Sequence, residues 1–176
     1  VEREQFRRLI STKQGPDLSG PFHSQSLARV AAMETHVIRL QPGADLKAAL
    51  DEEVCSMAWP AGCVVTAVGS LTCAAIRFAA AGEVSLLTGP FEIVSLSGTL
   101  GCESGSHLHL AVSDGGGRLV GGHLKEGALV HTTAEVVLAR LDGWQFSRRP
   151  DPATGYPELV PVHQDSLPPG AGECSR

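Results

Sequence analysis

Three of the seven histidines in this 176-residue chain lie within one short segment, HLHLAVSDGGGRLVGGH, which runs from His107 to His123. His107 and His109 are two residues apart, so a β-strand would place both side chains on the same face. Three neutral imidazoles with one vacant position are the ligand set of an open, catalytic zinc site. Imidazole also suits iron, nickel and copper. The segment therefore predicts a divalent metal site, with zinc as the first candidate, or three histidines on an ordinary hairpin.

The position of the third histidine depends on the hairpin loop. With a three-residue loop at 115–117, Asp114 pairs with Arg118, and His109 lies opposite His123. A loop of even length would shift the register by one residue and turn His123 to the other face. The glycine pair before the third histidine would also allow a β-bulge, which could restore the alignment. Spacing alone leaves both registers open.

The flanking sequence predicts the elements that position this hairpin. THVIRL alternates as a strand does, and ADLKAALDEEVCSMAW has helical spacing, with Asp45 as the N-cap and Pro60 just beyond the end. Short apolar or alternating runs follow, separated by turn or bulge signals such as GS and TGP. Strands in close succession favour antiparallel pairing. We therefore expect an α+β fold, a mainly antiparallel β-sheet with a helix packed on one face.

Composition limits the classes of function. The formal net charge is −5, and no long basic run is present, so the electrostatic pattern of a nucleic-acid-binding protein is missing, although a local basic patch is still allowed. The five cysteines are odd in number and form no C-x-x-C pair, which favours a reducing compartment and a cytoplasmic location. No stretch is long and apolar enough to predict a membrane span.

Several ordered blocks resemble the single-domain prokaryotic form of the plants-and-prokaryotes-conserved (PPC) domain. They are GPFEIVSLSGTLG, SHLHLAVSDGGGRLVGGHL, TAEVVLARL and FSRRPDPATGYPEL. The resemblance covers residues 35–160, so 1–34 are expected to form an N-terminal extension and 161–176 a flexible C-terminal tail. It implies an α+β fold assembled as a homotrimer.

The same resemblance implies two possible functions. In plants the domain follows an AT-hook, a basic motif that enters the minor groove, and prokaryotic members are described as DNA-binding by analogy. This sequence contains no such motif, since SRRP lacks its central glycine. The resemblance thus implies a DNA-associated or regulatory protein whose DNA binding is weak. The alternative is a metal-dependent enzyme of hydrolase or lyase type acting on a small molecule.

The resemblance also bears on the site residues. Some prokaryotic members carry a metal on the histidines of the H-L-H…G-G-H block, which here implies His107, His109 and His123 as ligands. Glu92 and Glu135 are candidate hydrogen-bond partners of that site, or else simple sheet-surface carboxylates. The arginines of SRRP, 148 and 149, are expected to form surface ion pairs.

Overall fold

The computed structural model describes residues 33–166, and this part of the chain holds one α-helix and eight β-strands. The elements, in chain order, are β1 (Thr35–Leu40), α1 (Leu46–Ser56), β2 (Gly62–Arg77), β3 (Ser85–Leu100), β4 (His107–Ser113), β5 (Leu119–Leu124), β6 (Leu129–Arg140), β7 (Trp144–Pro150) and β8 (Pro157–His163), followed by a 3₁₀ turn (Gln164–Ser166). No helix within this range is both long enough and apolar enough to cross a bilayer.

The first six strands form one sheet in the order β1-β6-β2-β3-β4-β5, and β7 and β8 form a separate hairpin. Every pairing is antiparallel, which confirms the predicted α+β class with a mainly antiparallel sheet. The end of β2 also pairs with β5, where Ile76 lies opposite Leu124 and Arg77 lies opposite His123. Strands β2, β3, β4 and β5 therefore close into a four-stranded ring. The β2–β5 pairing that closes it, called the closing seam below, contains His123.

Helix α1 forms where the sequence predicts it. The Asp45 carboxylate caps the helix by accepting a hydrogen bond from the Ala48 N–H at 3.0 Å, and the helix ends before Pro60. Its apolar face, Leu46, Leu50 and Val54, is completely buried against the sheet core. Full burial of each such side chain contributes about 1.5–3 kcal/mol, so packing rather than helix propensity holds α1 in place.

Strands β2 and β3 are longer than the sequence predicted. The GS and TGP signals were expected to separate shorter strands, but both lie inside continuous 16-residue strands. At Gly69 the backbone has φ +147°, and the register shifts on both sides of Leu71. A Cβ at Gly69 would lie 2.2 Å from the Thr133 carbonyl oxygen. The glycine therefore permits a close backbone approach and a bulge in β2 rather than a chain reversal.

The predicted terminal segments are only partly described. All but two residues of the expected N-terminal extension, 1–34, lie outside the described residues. The flexible tail expected from residue 161 begins too early, because β8 continues to His163 and the 3₁₀ turn to Ser166. His163 is paired with Trp144 on β7, so ladder hydrogen bonds order this part of the backbone. Residues 167–176 of that segment lie outside the described range.

Candidate metal centre

The β4–β5 hairpin adopts the three-residue loop. The Asp114 N–H donates to the Arg118 carbonyl at 3.0 Å, and the Gly117 N–H donates to the Asp114 carbonyl at 2.9 Å. His109 consequently lies directly opposite His123, as predicted for this loop length. Because all residues of the ladder pair without a shift, the register needs no bulge to bring the histidines together.

The Asp114 side chain fixes this loop. Its carboxylate accepts hydrogen bonds from the N–H groups of Gly116 at 2.8 Å and Arg118 at 3.0 Å, and from Arg118 Nε at 2.9 Å. The backbone and side-chain hydrogen bonds from Arg118 lower the pKa of the Asp114 carboxyl. These hydrogen bonds hold the three-residue loop and, with it, the histidine register.

The three imidazoles converge. His107 Nε2 lies 3.1 Å from His123 Nδ1, and His109 Nε2 lies 3.2 Å from the same atom. One nitrogen from each ring falls within a set whose members are all within 4.8 Å of one another. Nitrogens that share a tetrahedral zinc, with Zn–N distances of 2.0–2.1 Å, are about 3.3 Å apart. The cluster could therefore hold one metal ion.

Hydrogen bonds between the imidazole rings explain these short distances less well than a shared metal ion does. A neutral imidazole has one donor and one acceptor nitrogen. Here two Nε2 atoms approach a single Nδ1, whose one in-plane lone pair can accept only one good hydrogen bond. A shared cation would use the lone pairs of all three nitrogens at once.

The surroundings favour neutral imidazoles. Burial is the largest cause that lowers the pKa of His107, and the positive charges of His109 and Arg148 lower it further. Burial also lowers the pKa of His123, followed by the charge of Arg77. Because an imidazole binds metal only when it has lost its proton, both shifts favour the metal-binding form at neutral pH.

The glycine pair before His123 has a different role from the one expected. A Cβ at Gly122 would lie 2.8 Å from both the Arg77 carbonyl oxygen and Ile76 Cγ2, and a Cβ at Gly121 would lie 2.8 Å from the Leu110 carbonyl oxygen. The expected bulge is absent from the β4–β5 ladder. The glycines instead allow β5 to approach its neighbouring strands closely, at the seam where the ring closes.

An open cleft of about 650 Å³ adjoins the cluster, with His107 and His123 in its wall. Its lining includes three half-buried cations, Arg77, Lys125 and Arg148, and one carboxylate, Glu158. Sequence reasoning did not identify these four residues as part of the site. Strand alternation could have found Lys125, which follows His123 by two residues, whereas Arg77 joins the site only through the β2–β5 pairing.

The ion pair expected for Arg148 does not form. Its Nε donates to the Ser104 carbonyl at 3.2 Å and its Nη1 to the Pro157 carbonyl at 3.4 Å. Within residues 33–166, no carboxylate pairs with Arg148, and none pairs with Arg149. Backbone carbonyls thus hold the Arg148 guanidinium without neutralising it.

The two candidate glutamates lie away from the cluster. Glu92 is exposed on β3, opposite Ser113. Along β3 it is five residues, or about 17 Å, away from the residue that pairs with His109. Glu135 is exposed on β6, opposite Arg39 of β1. Neither carboxylate lines the cleft or hydrogen-bonds to the three histidines. Alternation predicted their faces but not their positions along the strands.

Comparison with known proteins shows the family. The Plants and Prokaryotes Conserved (PCC) domain matches residues 28–142, and the chain belongs to this family. The chain is 50% identical over 128 residues to the bifunctional protein GlmU of a Synechococcus strain, a match that covers 73% of this chain and 20% of GlmU. The chain thus spans about a fifth of the length of this curated relative.

Two solved structures are similar over most of their length. A hypothetical protein from Salmonella enterica is 39% identical, with a TM-score of 0.73, and the match covers 76% of this chain and 96% of that one. A metal-containing protein from Archaeoglobus fulgidus is 28% identical, with a TM-score of 0.63, and the match covers 72% and 93%. Two structures whose names refer to DNA binding are 17% and 21% identical and show the fold alone.

Proposed function

We propose that this chain binds one divalent metal ion, zinc first among the candidates, through His107, His109 and His123, and that this centre acts on a small molecule in the adjoining cleft. The observation that carries the proposal is the approach of two Nε2 atoms to one Nδ1, at 3.1 and 3.2 Å. The naming of the Archaeoglobus relative as a metal-containing protein supports it.

The donor set fits a metal that keeps a position for water or a ligand. Three imidazoles from one hairpin supply three nitrogen donors, and the lowered pKa values of His107 and His123 favour the deprotonated form of those two rings. When bound, such a metal supplies a Lewis acid that polarises an oxygen and lowers the pKa of water, the chemistry that metal-dependent hydrolases and lyases use. The chain's own contribution is the fixed hairpin that orients the rings and the cleft that admits the small molecule.

Metal content tests this function. We expect one metal per chain in protein purified without metal-affinity resin, measured by elemental analysis after dialysis at neutral pH. His109→Ala should lose most of the metal, and the control His131→Ala, an exposed histidine on β6, should retain it. Metal-free wild-type protein that cannot be loaded with zinc, iron, nickel or copper would exclude the function.

We also propose the homotrimer that the family resemblance implies. The support is apolar surface on neighbouring strands, where Val68 on β2 is 57% exposed and Val94 on β3 is 52% exposed. Residues 74–76 on β2 are buried in the core of the chain itself and do not add to that surface. Sedimentation equilibrium should give three times the chain mass, whereas a monomer at micromolar concentration would exclude the trimer.

DNA association is the second candidate function. It is supported by the names of two distant neighbours and by the local positive charge of the cleft. The acidic chain leads us to expect binding no tighter than about 10⁻⁶ M at physiological salt, without sequence preference. A duplex titration that gives tight, sequence-dependent binding would place this function first.

A cytoplasmic location remains part of the proposal. Four of the five cysteines, Cys55, Cys63, Cys73 and Cys102, fall within the described part of the chain, and all four are free thiols there. Free thiols on a sheet protein agree with a reducing compartment.

A further inference from the structure

The cleft beside the histidines carries a positive charge that metal binding does not use. Arg77, Lys125 and Arg148 line it together with one carboxylate, Glu158, although the chain as a whole has a net charge of −5. Among residues 33–166, none of the three cations forms an ion pair with a carboxylate. The cleft is therefore lined by three cations and one carboxylate in an otherwise acidic chain.

The sheet fixes two of these cations next to the cluster. Arg77 is the cross-strand partner of His123 in the β2–β5 ladder, so their side chains share one face, with Cβ atoms about 5 Å apart. Lys125 follows His123 by two residues, and its N–H donates to the Ala75 carbonyl at 2.9 Å, which ties this end of β5 to β2. The seam that closes the ring thus also positions the charges.

The third cation comes from the other sheet. Arg148 on β7 is held by the carbonyl groups of Ser104 and Pro157, with two donors committed to the backbone. Guanidinium has five N–H donors and remains charged at any physiological pH, so this anchoring fixes its direction and leaves its charge intact.

A cleft lined mainly by cations raises the local concentration of anionic ligands. We propose that the cleft binds a small anion that carries a carboxylate or a phosphate group. Arg77, Lys125 and Arg148 recognise this group beside the three histidines. This ligand class rests on the proposed function of the cleft as a small-molecule site. A cleft of about 650 Å³ suits a metabolite-sized ligand. Arginine pairs with either group through two parallel hydrogen bonds.

Calorimetric titration at low ionic strength tests this ligand class. Inorganic phosphate and succinate are titrated into zinc-loaded and metal-free protein, with the uncharged succinamide as the ligand control. Lys125→Met removes a charge from a side chain without a hydrogen bond to the described residues, so it preserves the fold. Arg148→Gln is the second variant. Arg39→Gln on β1, where Nε donates to Thr133 Oγ1, is the matched control.

We expect phosphate, succinate or both to bind, with the tighter of the two defining the ligand class. Lys125→Met and Arg148→Gln should each weaken binding about tenfold, and Arg39→Gln should leave it unchanged. Absence of binding by both anions, equal binding of succinamide, or an equal loss in Arg39→Gln would overturn the proposal. So would duplex DNA binding that depends on the same two residues in protein that binds neither small anion.

Metal content of the same samples separates this test from that of the proposed function. Anion binding to protein that cannot be loaded with metal supports the ligand class and contradicts the metal centre. Stoichiometric metal without anion binding supports the metal centre and overturns the ligand class.

Discussion

His36 lies at the edge of the sheet, whereas the three histidines of the β4–β5 hairpin lie at or beside the closing seam, and the two regions differ in their surroundings. His36 on β1 has its Nε2 2.7 Å from the Glu53 carboxylate and its ring edge-on to Trp59. The seam histidines contact one another, and the nearby charged groups are mainly cations. Desolvation and nearby cations lower the pKa of His107 and His123, which favours the neutral form that a metal needs, whereas the imidazole of His36 has a carboxylate as its partner. The partner supplied by the fold, rather than the residue type, determines which role a histidine can take.

Topology explains this difference. His36 lies on the edge strand β1, and α1 supplies its carboxylate partner from one side. At the seam, β5 joins β4 to the end of β2, so same-face side chains from three strands meet. The ring closure brings Arg77 of β2 beside His123 of the β4–β5 hairpin, whereas the edge strand β1 has a neighbouring strand on one side only.

Removal of one seam histidine should have the largest effect. His123→Ala deletes the nitrogen that both other rings approach, so we expect zinc affinity to fall at least about 100-fold. His36→Ala and His163→Ala should change it less than about twofold, because each contacts a carboxylate away from the cluster. Competition with a chromophoric chelator measures all three variants. Unchanged zinc affinity in His123→Ala would mean that this histidine, like His36 at the sheet edge, is not a metal ligand.

A change in the seam backbone should have the next largest effect. Gly122→Ala would place a Cβ 2.8 Å from the Arg77 carbonyl oxygen, so we expect a loss of about 1–3 kcal/mol in the free energy of unfolding and weaker zinc binding. Gly115→Ala is the control, since a Cβ there meets nothing within 4 Å. Urea unfolding compares the two variants. Equal stability would mean that β5 does not pack against β2 as closely as the structure shows.

Acid should weaken metal binding by a smaller, graded amount. Protons compete with metal for the imidazoles, and the pKa values of His107 and His123 lie below the usual value of 6.5. Zinc affinity should therefore stay level down to about pH 6.5 and decline only below it, because protonation of these rings begins at lower pH than in a free histidine. Competition titrations between pH 5 and 8 measure the profile. A decline that begins above pH 7 would contradict the lowered pKa values.

Loss of the ion pair between His36 and Glu53 at the sheet edge should have the smallest effect. Glu53→Gln removes an ion pair whose side chains are 36% and 37% exposed, so the free energy of unfolding should fall by no more than about 1 kcal/mol. Metal content should be unchanged. Thermal unfolding and elemental analysis of the same sample check both statements. Loss of metal in Glu53→Gln would remove the distinction between the two regions.

Local patterns in the sequence were sufficient for the helix and narrowed the hairpin to two registers. Asp45 marked the start of α1, and the DGGG turn allowed the register that places His109 opposite His123 as one of the two. Both features depend on residues that are close in the chain, where turn chemistry and strand or helix periodicity determine geometry.

Features that depend on distant strands could not be predicted in this way. Arg77 reaches the site only because β2 pairs with β5, and Gly69 permits a bulge because β6 passes closely by. Glu92 and Glu135 were candidates because the resemblance and the strand pattern give no distance along a strand, and both carboxylates lie away from the histidines. The role of the glycine pair was mistaken for the same reason, because its tight neighbours lie on β2 and β4.

Anomalous X-ray scattering at the zinc edge, from crystals of zinc-loaded protein, tests the central claim most directly. The structure predicts one peak per chain, about 2.0–2.1 Å from His107 Nε2, His109 Nε2 and His123 Nδ1. A peak at His36 and Glu53, or no peak at the three histidines of a fully loaded crystal, would contradict the assignment of this seam as the metal centre.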